Sequence, residues 1–181
     1  FHRTLSVTMK AQYLATVNAT LSLLWFRVLY YSQLPMVVEE KTPLYQALVA
    51  TAAIEIMHSM LRISKSPLLP ILLFNTVRLG VEYWVASAAA SYTCVPHTLM
   101  IIAWALGDGI RFACFALLSA FDSDFPKHIR YNVGPLVFPV GAFAEAWLVV
   151  HVANQQQTND VHRYLLYAAA CLWPVGFYPL Y

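Results

Sequence analysis

Long apolar runs alternate with short polar or proline-containing breaks along the whole chain. The breaks divide the sequence into runs of about the 20 residues that a helix needs to cross a bilayer. These runs are too long for the strands of a membrane barrel and lack their period-two alternation. The pattern therefore predicts an all-α integral membrane protein, a bundle of six transmembrane helices at about 13–32, 44–63, 68–90, 98–120, 131–153 and 164–181.

The distribution of Lys and Arg over the breaks predicts how these helices are oriented. One side of the membrane would carry Arg3, Lys10, Arg62, Lys65, Lys127 and Arg130, and the other side only Lys41 and Arg163. Basic residues are enriched on the cytoplasmic side of membrane proteins. We therefore expect both termini on that positive side, which would be the matrix side in a mitochondrial membrane.

The composition agrees with a membrane location. Of the 181 residues, 60% are hydrophobic and 11% charged, against roughly 45–50% and about 25% in soluble domains. Six spans leave no length for a soluble domain, so residues 1–181 are expected to form one membrane domain. The net charge of +2 and the lack of basic side chains interleaved with stacking aromatics argue against a nucleic-acid partner. The three cysteines have no short mutual spacing, and we assign no disulfide, metal or cofactor.

Seven charged residues fall inside the predicted spans, where an ionised group costs about 2.5–3.5 kcal/mol on insertion scales. They are Arg27, Arg78, Arg111, Glu55, Glu82, Asp108 and Glu145. Helical spacing predicts the pairs Glu55 with His58, Arg78 with Glu82, and Asp108 with Arg111. Such pairs can be salt bridges that only hold helices together, and we expect this of Arg78 with Glu82. Carboxylates on four different spans favour a further interpretation, a polar chamber within the bundle.

Five short segments resemble, in order, the 3-hydroxyacyl-CoA dehydratases of very-long-chain fatty acid elongation, also called protein-tyrosine-phosphatase-like membrane proteins. They are "YLATVNATLSLLW", "IEIMHSMLRISKSPLLPILL", "WALGDGIRF", "RYNVGPLVFPVGAFAE" and "PVGFYPLY". The third is similar to the family's Trp-x-x-x-Glu-x-x-Arg-Tyr, with Asp108 for Glu and Phe112 for Tyr. The fourth follows the family's Arg-Tyr, then an aromatic residue with Pro-x-Gly, then Glu. The resemblance covers nearly the whole chain.

The resemblance implies elimination of water from a 3-hydroxyacyl thioester, which needs a base for the C2 proton and an acid for the C3 hydroxyl. In the family these roles belong to a Tyr and to a Glu seven residues after it. Glu145 corresponds to that Glu, but Phe138 stands at the Tyr position and has no hydroxyl. Losing one acid–base group costs roughly 10²–10⁴-fold in rate. Neither Tyr131 nor His151 is expected to replace it, because their spacing from Phe138 and Glu145 places them elsewhere on the helix.

Other positions of the family's polar chamber are occupied as the resemblance implies. They are Glu55, Arg111, Arg130 and Gly141. A polar Gln of the family corresponds to a position near Phe74, where Asn75 is a neighbouring substitute. The resemblance thus implies a retained fold with an incomplete proton relay.

We therefore expect a catalytically inactive dehydratase-like protein, an accessory subunit of a larger membrane complex with lipids and other subunits as partners. The mitochondrial inner membrane is the predicted location, because the chain begins without Met and ends at "YPLY" without the family's basic retrieval tail. The endoplasmic reticulum is the alternative. Two other functions stay open: an active dehydratase that pairs Glu145 with another proton donor, and a lipid-binding or transport protein that uses the polar chamber.

Overall fold

A computed structural model of the protein describes residues 2–32, 42–64, 66–85, 94–121, 124–155, 164 and 167–168. This part of the chain contains five α-helices and no strand. They are α1 (His2–Ser32), α2 (Thr42–Met60), α3 (Leu68–Gly80), α4 (Val95–Ala120) and α5 (Phe125–Gln155), and α3 continues into a π-helical turn, Val81–Val85. The all-α class is confirmed, and each of the first five predicted spans overlaps one helix. The sixth, 164–181, lies almost entirely outside the described residues.

Two of these helices, Val95–Ala120 and Phe125–Asn154, are long and apolar enough to cross a bilayer, with mean hydropathies of 1.7 and 1.8. The count of six spans and the orientation of the termini stay predictions. The first helix begins at His2, well before the predicted start at 13. Residues 2–12 contain no Gly or Pro to break the helix, although they are too polar for an apolar run.

The carboxyl end of α2 closes in a Schellman motif. The Ile63 amide donates to the His58 carbonyl at 2.8 Å, and the Arg62 amide donates to the Ser59 carbonyl at 3.1 Å. Arg62 adopts the left-handed conformation, with φ of 54°, that this motif requires and that usually selects Gly. The motif fixes the last turn of α2, where the His58 ring meets the Tyr13 hydroxyl of α1 at 3.0 Å.

Helix α5 runs through two internal prolines, Pro135 and Pro139. Each lacks the N–H that would bond to the carbonyl four residues earlier, so the Tyr131 and Pro135 carbonyls lose their usual helical donors. Both prolines lie on the exposed side of the helix. Pro135 lies three residues before Phe138 and Pro139 directly after it, so the helix around Phe138 lacks two backbone hydrogen bonds.

Helix α4 is the centre of the bundle, because both α1 and α5 pack along it. Its contacts with α5 are close where glycines replace side chains. A Cβ placed on Gly107 would be 3.6 Å from Val137, and one on Gly141 would be 3.5 Å from Ala103. Since residues rising along α4 meet residues falling along α5, the two helices are antiparallel. The shared core around them is apolar and includes Leu21, Trp25, Leu48, Met100 and Leu148.

Candidate functional site: a buried polar cluster

Asp108 of α4 is the centre of an ion-pair network. It accepts a hydrogen bond from Arg78 Nη1 of α3, and its second oxygen lies 3.1 Å from Arg111 Nη2 on its own helix. Asp108 and Arg78 are both buried. The pair Asp108–Arg111 forms as its spacing predicts. The pair predicted between Arg78 and Glu82 does not form, because the Arg78 guanidinium is turned across to Asp108 on the neighbouring helix.

The network extends to α2 through Glu55. Arg111 donates to Glu55 Oε1 at 2.8 Å, and the Asn75 amide of α3 donates to Glu55 Oε2 at 3.3 Å. Both carboxylate oxygens therefore have donors from other helices. The predicted pair of Glu55 with His58 is replaced by these contacts, and the His58 ring bonds to Tyr13 instead. Asn75 thus contributes an amide to the cluster beside the position of Phe74.

Aromatic rings surround the Arg78 guanidinium. Its central carbon lies 4.1 Å from the ring centroid of Phe74, 5.0 Å from that of Trp104 and 5.9 Å from that of Trp25. A cation over an aromatic face is attracted by the ring quadrupole, and more strongly where water is excluded. Phe74 therefore supports the Arg78 cation directly.

Glu145 of α5 belongs to the same cluster through Trp104. The carboxylate is buried, and its Oε1 accepts a hydrogen bond from the Trp104 indole at 2.5 Å. Trp104 also lies against Arg78, so the ring connects the carboxylate to the arginine. Gly141, one turn before Glu145, lies at the same helix contact, where a Cβ would be 3.5 Å from Ala103 and 3.9 Å from Trp104.

Phe138 lies two turns before Glu145 on α5, nearly on the same face, with its Cα about 10 Å away along the axis. It is half-buried and provides no oxygen or nitrogen to the cluster. The face that carries the carboxylate therefore has no phenol at position 138.

Arg130 lies outside the cluster, although the sequence predicted it there. Its side chain is exposed, and its guanidinium carbon stacks 4.6 Å from the Phe115 ring and 5.8 Å from the Tyr131 ring. It is located in the second turn of α5, too far along the helix to reach Glu145. Of the predicted site residues, Glu55 and Arg111 are joined directly, Glu145 is joined to the cluster through Trp104, and Gly141 lies at the contact between α4 and α5.

A second buried pair was not identified from the sequence. Glu82 lies in the π-helical turn and is fully buried, and its Oε2 is 3.0 Å from His97 Nε2 in the first turn of α4. Spacing rules assume regular α-helix, in which Glu82 would face Arg78. The sequence feature that points to this pair is His97, a histidine in the first turn of an apolar helix, and that signal alone is weak.

Comparison with known proteins identifies a family and a similar protein. Residues 49–181 match a family model described as "Protein tyrosine phosphatase-like protein, PTPLA". The chain is also similar to a Schizosaccharomyces pombe (strain 972 / ATCC 24843) protein named "Probable very-long-chain (3R)-3-hydroxyacyl-CoA dehydratase", with 29% identity over 191 residues, covering 98% of this chain and 91% of that protein. No solved structure matches. The family match includes every helix that contributes a charged side chain to the cluster.

Proposed function

The chain belongs to the protein tyrosine phosphatase-like (PTPLA) family, and on this basis we propose that it is a dehydratase-like integral membrane protein that does not catalyse dehydration. The proposal depends on Phe138. Eliminating water from a 3-hydroxyacyl thioester needs a base and an acid at adjacent carbons of the substrate. Glu145 can serve as one of them, whereas the phenylalanine ring can neither donate nor accept a proton.

The remaining cluster supports a structural role for its charges. Asp108, Arg78, Arg111 and Glu55 neutralise one another across three helices. A buried charge is costly when it lacks a partner, so these contacts favour one arrangement of the helices over others. A bundle with this interior would keep the family's shape without its chemistry.

Restoring the phenol tests the proposal. We expect the purified full chain in lipid nanodiscs to show no turnover of a very-long-chain 3-hydroxyacyl-CoA, and Phe138→Tyr to introduce measurable turnover. The new activity should disappear in Phe138→Tyr/Glu145→Gln. Phe143→Tyr is the matched control, because this exposed ring on the same helix gains the same hydroxyl away from the cluster. Turnover by the unmodified chain that Glu145→Gln abolishes would refute the proposal.

As a non-catalytic protein, the chain would act as an accessory subunit of a membrane complex. The exposed aromatic and aliphatic side chains of α5, which include Phe143 and Trp147, are suited to lipid or to a neighbouring helix. Of the two predicted locations, the family and its named relative favour the endoplasmic reticulum and lend no support to the mitochondrial inner membrane. Purification in mild detergent should yield stoichiometric partners, and fractionation should recover the protein with reticulum markers.

One observation favours a second function, an active 3-hydroxyacyl-CoA dehydratase. Glu145 is kept, buried and held by a specific donor, and the similar yeast protein is named as a dehydratase. In this case another group would replace the phenol as proton partner. Complementation of a strain that lacks the dehydratase distinguishes the two functions, since the accessory protein should not rescue growth unless it carries Phe138→Tyr.

A further inference from the structure

Glu82 has one carboxylate oxygen that receives no hydrogen bond from the residues that the structure describes. The residue is fully buried, and its Oε2 faces His97 Nε2 at 3.0 Å, while Oε1 has no hydrogen-bond partner among those residues. Leaving a buried acceptor unsatisfied costs about 1–3 kcal/mol, and more when the group is charged. Within the described part of the chain, the Glu82 Oε1 atom is therefore a strong acceptor that no donor reaches.

One turn earlier, Arg78 has the complementary feature. Its Nη1 donates to Asp108, but its Nε, which is also buried, has no acceptor in the part of the chain that the structure describes. Arg78 and Glu82 nevertheless form no ion pair with each other, since one is directed to Asp108 and the other to His97. A buried donor and a buried acceptor thus lie on adjacent turns.

The chemistry of these two atoms specifies what can join them. A guanidinium N–H only donates and a carboxylate oxygen only accepts, whereas a hydroxyl does both. We propose that Arg78 and Glu82 form a binding site for one hydroxyl group, which accepts a hydrogen bond from Arg78 Nε and donates one to Glu82 Oε1. His97 acts as a positioning residue, because its contact with Oε2 fixes the carboxylate.

The local backbone supports a binding role for Glu82. Its turn, Val81–Val85, is π-helical, and single π-helical turns occur frequently at functional sites. The turn displaces Glu82 from the regular α-helical position beside Arg78. This displacement keeps the two side chains from neutralising each other and leaves a donor and an acceptor available to a third group.

The hydroxyl site belongs to the same polar cluster as Glu145. Arg78 lies over the Trp104 ring, with 5.0 Å from its guanidinium carbon to the ring centroid, and Trp104 donates to Glu145. The inference rests on the proposed function in one respect, that a dehydratase-like bundle still admits an acyl chain. The hydroxyl could belong to that chain, as in a 3-hydroxyacyl thioester, or to an ordered water molecule.

Binding measurements distinguish these sources. We would titrate the full chain in nanodiscs with a 3-hydroxyacyl-CoA and with the acyl-CoA of equal length that lacks the hydroxyl. If the ligand supplies the hydroxyl, the hydroxylated compound should bind at least about tenfold more tightly. Glu82→Leu should remove this preference, and so should Glu82→Met, whose unbranched side chain has a similar length and no strong acceptor, if the leucine variant does not fold. Tyr83→Phe, at an exposed neighbouring position, is the control and should keep the preference.

A water-filled site gives another result. Both compounds would bind equally, and a high-resolution map would show an oxygen within hydrogen-bond distance of Arg78 Nε and Glu82 Oε1; this outcome supports the hydroxyl site and assigns it to water. Equal binding with no such oxygen overturns the inference, as does a preference that survives in both Glu82 variants. Turnover measured in the same samples tests the proposed lack of catalysis separately, because a hydroxyl preference requires binding only.

Discussion

Trp104 donates its indole N–H to the carboxylate of Glu145, with 2.5 Å between Nε1 and Oε1. The two residues lie on antiparallel helices, α4 and α5, and both are buried. The same indole ring packs against the Arg78 guanidinium. The Glu145 carboxylate is therefore oriented by a neighbouring helix, and this orientation does not require a phenol at position 138.

Trp104→Phe should destabilise the protein by about 2–4 kcal/mol. The substitution leaves the Glu145 oxygen without its indole donor and makes a small cavity beside Arg78. Unfolding of the full chain in bicelles measures the change. Trp147→Phe is the matched control, because Trp147 of α5 is 40% exposed and its replacement should have little effect. Equal losses in the two variants would show that the hydrogen bond to Glu145 contributes nothing.

Asp108→Asn should be more damaging than any other single removal of charge in the cluster. Asp108 is the partner of both Arg78 and Arg111, and removing one member of a buried ion pair typically costs about 3–5 kcal/mol. The variant Asp108→Asn/Arg78→Met should recover part of the loss, since it also removes an uncompensated cation. A double-mutant cycle of unfolding free energies gives the coupling between the two residues, and a coupling of zero would contradict the network.

Much of the fold follows from the sequence because apolar runs of membrane length leave few alternatives to helices. α2 ends at Met60 and α3 begins at Leu68, as the break at 61–67 predicts, whereas α5 begins at Phe125, inside the predicted break at 121–130. The side-chain contacts between helices do not follow from the sequence in the same way. The i,i+4 spacing predicts Arg78 with Glu82, but tertiary contacts to Asp108 and His97 take both side chains elsewhere.

The sequence predicts which residues belong to the candidate site better than it predicts which of them contact one another. Glu55, Arg111, Glu145 and Gly141 were identified as chamber positions from short motifs, and the structure places all four at helix contacts around α4. The π-helical turn has no sequence signal comparable to a cap or a proline, so the Glu82–His97 pair could not be predicted. Arg130 shows the opposite kind of error. It belongs to one of the motifs, but it lies near the start of α5 and outside the cluster.

Asp124 provides a prediction about pH, since it precedes α5 and lies outside the predicted spans. The hydrogen bond from Lys127, 2.6 Å from Nζ to Oδ1, and the lysine charge hold the pKa of the Asp124 carboxyl below its ordinary value. A lowered folded-state pKa stabilises the protein above the unfolded-state pKa, and the contribution is lost as pH falls through the folded-state pKa. Lys127→Ala should raise the pKa of Asp124 towards its ordinary value in an NMR titration. Because the carboxylate is exposed, thermal stability at neutral pH should not change measurably.

Arg62→Gly should stabilise the protein by about 1 kcal/mol. Arg62 has φ of 54° at the end of α2, and a residue with a Cβ costs roughly 1–2 kcal/mol in this conformation, whereas Gly adopts it readily. The larger unfolded-state entropy of Gly offsets part of the gain. Arg62→Ala separates the backbone effect from the loss of charge, since it keeps the Cβ and should not stabilise. A gain of equal size in the alanine variant would attribute the effect to the side chain.

Gly109→Ala tests the close packing of α1 on α4. A Cβ at Gly109 would lie 3.1 Å from Phe26 Cε1, and the Gly109 carbonyl accepts a hydrogen bond from the buried Ser22 hydroxyl at 2.9 Å. The Phe26 ring is 38% exposed, so it can move outward, but Ser22 holds the two backbones together. We expect a loss of about 1–3 kcal/mol, the usual cost of inserting a methyl group into a tight contact.

The cause of this loss can be isolated within the same pair of helices. Phe26→Leu alone should cost little, because the ring is partly exposed, and Gly109→Ala/Phe26→Leu should recover much of the stability lost in Gly109→Ala. Gly107→Ala is the matched glycine control on the same helix, since a Cβ at that position would be 3.6 Å from Val137, an ordinary van der Waals distance. It should be neutral or stabilise by up to about 1 kcal/mol, as expected for replacing glycine within a helix. Chemical unfolding of the full chain measures these stabilities. If Gly109→Ala caused no loss of stability, the close contact between α1 and α4 at Phe26 would be contradicted.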